Sequence, residues 1–477
     1  MFCFSSLWRE IDVKLKYLRM NKFKFILSLA GITLLTSCTS DEIVAGDDNG
    51  LTPQEETAIV IEAGQNSDVP ISLGSGGAEG AMTRGLINPD AHGLFSTEDG
   101  KYLGVFCLAQ QCQQPEGTPI SELKWGEDIK WAGGVKYAVW MENIPARVQI
   151  VNSGTHYGED ITASNAFSDV TFYDPESLAS TPATKTYYYP FGNWYNYYFY
   201  GYYPYVSSGV TKTANEVMVD LELDGKTDVL HGITIPDNSD TRKSQAYCAK
   251  YFRDKKKDAE DAGTTYSELN TLPTFQMKHM LSQFRFYVRA IDADAAQKLS
   301  TNNFKLKELN VQNVFKKWRL VVAARTTSSY STGDWIITDG TLAYGRETFS
   351  PVIASDDTNP FASGGILIAG NASDLEPKEV GYVLVPTSEM LEQRPEGPDR
   401  QYYIKLTYTY TNSDVEFPVE EPILIPAPAG GFLAGKVYNI ILDVIDPTEV
   451  HARAVLEGWD QPNVNDEDDQ NVVVPIQ

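Results

Sequence analysis

Apolar and polar residues alternate with a period of two through much of this chain. Val217, Val219, Leu221 and Leu223 are separated by Met218, Asp220 and Glu222. Phe284, Phe286 and Val288 are interleaved with Arg285, Tyr287 and Arg289, and Tyr402, Ile404, Leu406, Tyr408 and Tyr410 with Gln401, Tyr403, Lys405, Thr407 and Thr409. Ile440, Leu442 and Val444, then Val450, Ala452, Ala454 and Leu456, continue the pattern. Successive side chains of an extended strand point to opposite faces, so each run predicts a strand with one buried face. Ala58–Glu62, Lys101–Leu108, Tyr137–Met141 and Arg147–Val151 add shorter runs, the last two parted by Asn143 and Pro145. Pro418, Pro422, Pro426 and Pro428 keep their loop out of any sheet interior. Lys250–Ala262 departs from this alternation. It is highly charged without a wide apolar stripe, and reads as an exposed helix or loop inserted between strands. Many short strands with turn residues between them predict an all-β sandwich architecture. No short internal period argues for a solenoid or propeller.

Tyr187–Tyr205 does not alternate, because 13 of its 19 residues are aromatic. Aromatic side chains suit strands and bury large areas, so this stretch predicts paired strands and core packing. A stacking platform for sugars or bases would need those rings exposed, and that many exposed rings invite aggregation.

The N-terminal region predicts export. Lys22 and Lys24 precede the eleven apolar or small residues Phe25–Leu35, and Leu35-Thr36-Ser37-Cys38 closes the run. The run is too short for a bilayer anchor and ends like a cleavage site. The terminal cysteine makes the segment resemble a bacterial lipoprotein box, in which Cys38 is lipidated and becomes the mature N terminus. Met20 makes a better start than Met1, which leaves residues 1–19 as an upstream extension. Residues 39–56 carry six acids and no Lys or Arg, a composition suited to a solvated tether.

Net charge is −25, which argues against nucleic-acid binding, since phosphates need basic patches. Beyond the leader, the cysteines are Cys107, Cys112 and Cys248, too few for a disulfide framework. Cys107 and Cys112 either close a small loop or stay as thiols. Gly430–Lys436 matches the spacing of a phosphate-binding loop, but Val437 stands where a Mg²⁺-binding hydroxyl belongs, and strand residues follow. His92, His156, His231, His279 and His451 are scattered, with no metal-binding pair. Asp466–Asp469 lacks the spacing and glycine of a calcium loop. No nucleophile elbow occurs. The expectation is a protein that is not an enzyme, with no catalytic residues, cofactor or metal.

Four features taken in order resemble the fimbrillin proteins of Bacteroidetes, the subunits of type V pili. The leader ending at Cys38 is followed by a strand and then Thr83-Arg84-Gly85. The aromatic stretch ends Gly201-Tyr202-Tyr203-Pro204-Tyr205. Asp228-Val229-Leu230 precedes Phe275-Gln276-Met277-Lys278-His279-Met280-Leu281-Ser282, with Val229 in place of the commoner leucine. Gly435-Lys436-Val437-Tyr438 begins a late strand, and Gly458-Trp459 closes another. The resemblance covers nearly the whole mature chain.

The resemblance implies two transthyretin-like Greek-key β-sandwich domains in tandem, at 57–272 and 273–477. It also implies export to the outer membrane surface as a lipoprotein. Cleavage between Arg84 and Gly85 would remove residues 57–84, and a C-terminal donor strand at Val472, Val474 and Ile476, within 461–477, would enter the groove of another subunit. His279 would be a packed structural residue. The expected partners are other pilus subunits, the outer membrane through the precursor's lipid, and a surface ligand on host or bacterium. The competing expectation is a monomeric surface lipoprotein that binds glycans through exposed Tyr and Trp rings.

Overall fold

The computed structural model describes residues 57–65, 94–111, 139–156, 159–189, 195–213, 215–234, 247, 249–264, 272–325, 328–338, 348–349, 361, 364–409, 417–419, 422–446 and 449–458. The architecture is all-β with a few short helices. Seven strands form a closed barrel: β1 (Glu62–Gln65), β2 (Leu103–Gln111), β3 (Val139–Val151), β4 (Phe167–Phe172), β5 (Tyr195–Tyr203), β7 (Leu230–Thr234) and β8 (Thr274–His279). Their order around the barrel is β1-β8-β7-β5-β2-β3-β4, and β1 closes the ring by also meeting β4.

Three further sheets carry the second half. β9 (Ser282–Ala290) lies between β13 (Lys378–Val385) and β15 (Lys436–Asp446), with β16 (Glu449–Gly458) beyond β15. β10 (Lys305–Gln312) pairs with β14 (Tyr403–Thr409), and short strands flank both. β11 (Lys317–Ala324) lies between β12 (Trp335–Ile337) and β6 (Glu216–Glu222), so segments from either side of the barrel's last strand share one sheet. Arg319 locks that pairing by donating to both carboxylate oxygens of Asp220, at 2.6 and 3.1 Å.

Most apolar positions of the alternation read from the sequence are buried in the fold, while Met218, Thr407 and Thr409, between them, are buried as well. Val217, Val219, Leu221, Phe284, Phe286, Val288, Ile440, Leu442 and Val444 are all buried. The pattern breaks in β16: Val450 and Ala452 are buried, but Leu456 is 56% exposed. β3 departs from the expected pair of strands, since it runs unbroken through Asn143 and Pro145. Asn143 makes this possible by taking a left-handed conformation (φ 48°) where the β2–β3 register shifts. Its side chain donates to Val206 O at 2.8 Å and accepts from the Tyr202 hydroxyl at 2.7 Å, which holds the irregularity in place.

Two hydrophobic clusters form the core. One fills the barrel, with Ile61, Val105, Cys107, Phe199, Phe275 and Met277 among its members. The other spans the remaining sheets and takes Phe106, Leu108, Tyr200 and Tyr202 from the barrel's outer surface. β2 and β5 are therefore buried on both faces. On β5, Tyr197, Phe199 and Tyr203 belong to the barrel cluster, while Tyr200 and Tyr202 belong to the second, joined by the half-buried Tyr198. Gly104, opposite Tyr202, leaves room for that ring: a Cβ there would stand 2.1 Å from it.

The charged segment is helix α1 (Ala249–Asp261). Its apolar side does more than an exposed insertion would. Tyr251 is buried in the barrel cluster, and Phe252 packs against Tyr189 at a tilt, with ring centroids 5.2 Å apart. α2 (Ala293–Thr301) starts at Asp292, whose carboxylate accepts from Ala295 N at 2.8 Å as an N-cap. α3 (Ser388–Leu391) starts at Thr387, whose hydroxyl accepts from Met390 N.

Candidate functional site

The segment 57–65 is the element on which the barrel's closure depends. It enters as an extended strand whose apolar side chains alternate, so Ile59, Ile61 and Ala63 all reach the barrel core and are at most 3% exposed. Burying those three side chains contributes roughly 5 kcal/mol at the usual area coefficient, an upper bound given a compact unfolded chain. That is comparable with the whole net stability of a typical domain.

Backbone hydrogen bonds tie the segment to both sides of the seam. Ile59 N donates to Tyr187 O at 2.8 Å, and Tyr189 N to Thr57 O at 2.9 Å. Val170 N on β4 donates to Ile61 O at 3.2 Å, and Glu62 N donates to Pro273 O at 3.0 Å. From Glu62 onward, β1 runs parallel to β8 with Glu62 opposite Thr274, Ala63 opposite Phe275 and Gly64 opposite Gln276. Across the seam, Glu62 is opposite Asp169.

Glu62 brings a carboxylate to this site, opposite that of Asp169. Its Oε2 accepts from the Thr274 hydroxyl at 3.2 Å. Burial raises its pKa above the ordinary carboxyl range, the Thr274 bond pulls it down, and the neighbouring Asp169 charge raises it again. Nothing in the sequence alone singles out Glu62, Asp169 or Thr274, because the register that unites them spans 212 residues and leaves no local signature.

Two segments carrying the family resemblance also meet. Leu230 is opposite His279 across β7 and β8, and His279 Nδ1 lies 2.7 Å from Asp228 Oδ2, whose side chain is fully buried. Cys107 has a free, buried thiol, and burial pushes its pKa well up. The phosphate-loop match at Gly430–Lys436 leads into strand β15, not into a helix. Among the described residues, no helix is long and apolar enough to cross a membrane, and no cluster of ligating side chains is placed to hold a metal. Cys38, Arg84, Gly85, Val472, Val474 and Ile476 lie outside the described residues.

No family model and no curated protein matches the chain. Solved structures do match. A fimbrial protein from Bacteroides vulgatus is 12% identical, with 85% of this chain and 100% of that one covered and a TM-score of 0.37. A protein named for cell adhesion from Bacteroides uniformis is 12% identical, covering 84% and 98%, with a TM-score of 0.35. The tip fimbrial protein Mfa3 from Porphyromonas gingivalis, truncated at its C terminus, is 9% identical, covering 85% and 100%, with a TM-score of 0.29. These neighbours bear fimbrial and cell-adhesion names.

A separate cleft of about 880 Å³ opens between β7 and β8 on one side and the Tyr330–Ile336 segment and α3 on the other. Gln393 shapes its wall by extending the free edge of β12: its amide donates to Trp335 O at 2.6 Å and accepts from Ile337 N at 2.9 Å. His231 lies at its floor, where burial pushes its pKa down to about 4 and leaves a neutral ring whose Nε2–H donates to Val322 O at 2.9 Å.

Proposed function

We propose that this chain is a structural or adhesive subunit of a cell-surface fimbria, assembled by exchange of its first strand for one from another subunit. The observation that carries the reading is the position of β1: the strand that closes the barrel is also the first described strand. Arg84-Gly85 follows it in sequence before the barrel resumes with β2 at Leu103. Cutting that bond would detach Ile59, Ile61 and Ala63 from the chain while leaving their groove formed by β4, β8 and the Tyr187–Tyr189 segment. Such a groove exposes apolar core and unpaired backbone groups, and an extended segment with alternating apolar residues satisfies both.

Val472, Val474 and Ile476 offer the required spacing. In this reading, Cys38 carries the lipid that takes the precursor to the outer membrane surface. The barrel and the sheets beyond it correspond to the two transthyretin-like domains, and the partners are further pilus subunits. The acidic surface keeps the precursor soluble and self-repelling before assembly.

Two variants test the proposal. Arg84→Ala should leave the surface protein with its first strand attached and absent from fibres, with N-terminal sequencing of wild-type fibres returning Gly85. Fibres that contain uncut chains would count against it. Deleting Val472–Gln477 should give a folded monomer that accepts a donor strand but cannot offer one. Normal polymerisation of that truncation would move the donor role to another segment.

A further inference from the structure

The seam holds two carboxylates face to face. Glu62 is the single β1 residue in register with β4, and its partner there is Asp169. Like charges directly opposite in an antiparallel pair destabilise it by a few tenths to about 1 kcal/mol. The strand therefore docks with good apolar packing at Ile59, Ile61 and Ala63 but with repulsion at the rung where the barrel closes. We propose that the Glu62–Asp169 pair makes the first strand a weak occupant of its own groove and selects a replacement with an uncharged side chain at that register. The inference rests on the strand-exchange reading above and adds the chemistry that gives exchange a direction.

The groups facing Glu62 support this. On β8 its opposite residue is Thr274, and on β4 it is Asp169, which also accepts from the Thr171 hydroxyl at 3.1 Å. Burial, Thr274 and Asp169 are the influences on the Glu62 carboxyl, and none is a cation. Because the docked state raises the Glu62 pKa, docking favours the protonated form. Its stabilising effect is full below the pKa of the free carboxyl and is lost as pH rises through the docked value. Raising the pH therefore moves the strand toward its weaker state.

The C-terminal segment fits the selection rule in one register. If Val474 takes the place of Ile59 and Ile476 that of Ile61, Gln477 falls opposite Asp169 and Pro475 falls at Val60. Two backbone donors of the docked segment are Ile59 N, which donates to Tyr187 O, and Glu62 N, which donates to Pro273 O. Val474 and Gln477 would supply both, while Pro475, which has no N–H, sits between them. Sliding the segment two residues along would put Pro475 where Glu62 N donates to Pro273 O, and that bond would be lost. A glutamine amide facing Asp169 replaces repulsion with a potential donor.

The test uses the full chain and hydrogen exchange of residues 57–65, corrected for intrinsic rates, from pH 4 to pH 8. Glu62→Gln should raise protection of the segment at neutral pH by about twofold to fivefold, the size of a cross-strand charge repulsion. Asp169→Asn should do the same, and the double variant should gain little more than either single one. Wild-type protection should fall as pH rises, and Glu62→Gln should flatten that fall. Unchanged or lower protection in Glu62→Gln overturns the inference, as does a pH dependence that persists without the Glu62 carboxyl. Fibre growth after arginine-specific cleavage is read on the same proteins. Glu62→Gln should slow it, and Gln477→Glu should slow it by recreating the repulsion. If protection rises but growth keeps its wild-type rate in both variants, the weak strand stands and the strand-exchange reading fails.

Discussion

Replacing Ile61 with aspartate should prevent the precursor from closing its barrel. Ile61 is fully buried, its carbonyl accepts from Val170 N, and its side chain lies in the cluster that fills the barrel interior. A carboxylate at that point has no described cation within the cluster and must either ionise without solvent or stay protonated, a cost of several kcal/mol on top of the lost apolar burial. The total, about 4 kcal/mol or more, is close to the stability of a whole domain. The measurement is urea unfolding of the uncut chain, followed by Tyr fluorescence and by proteolysis at the seam. The expected result is loss of a cooperative transition for the barrel and rapid trimming of the N-terminal segment. A midpoint within error of wild type would mean that residues 57–65 do not close the barrel in solution.

Phe284→Ala should cost about 3–5 kcal/mol, the usual range for deleting a packed ring. Phe284 stands at the centre of an aromatic cluster in the second half, with ring centroids 5.3 Å from Tyr402, 4.6 Å from Phe432 and 6.3 Å from both Phe286 and Tyr438. Phe432 and Tyr438 also pack on each other, edge to face at 5.0 Å. The Tyr438 hydroxyl ties the cluster to the 431–433 turn, accepting from Leu433 N at 2.8 Å and donating to Gly431 O at 3.2 Å. Removing the central ring therefore leaves a cavity that the four neighbours cannot all fill. The transition midpoint should fall markedly in denaturant unfolding, with the near-ultraviolet tyrosine signal changed as well. A loss below 1 kcal/mol would show that the four rings repack around the gap.

These two positions differ in how visible they were before the fold was known. Phe284 belongs to an alternating run, so its burial followed from the period of two alone, and only its ring partners needed the structure. Ile61 lies in the short run Ala58–Glu62, which predicts a strand but says nothing of its neighbours. The aromatic stretch shows the converse: dense rings at Tyr197–Tyr203 hid any period because both faces of that strand are buried. The sandwich expected for the first half is a closed barrel of seven strands, sealed where β1 meets β4 at the Glu62–Asp169 register with the Val170 N–Ile61 O bond and the buried Ile59, Ile61 and Ala63. Pro145, which reads as a strand breaker, is tolerated because Asn143 absorbs the local irregularity through its side-chain bonds to Tyr202 and Val206.

By itself the sequence determined that this chain is built of β-strands and which residues of most strands face the core. Those properties are local: side-chain alternation and apolar run length are set by neighbours a few residues apart. The tertiary structure alone decided that the first strand seals a barrel between β4 and β8, that His279 meets Asp228, and that Glu62 faces Asp169. Each of those contacts joins residues 51 to 212 positions apart. Register between distant strands is chosen by the packing of the whole barrel, because a slip of one residue would turn Ile59, Ile61 and Ala63 out of the core.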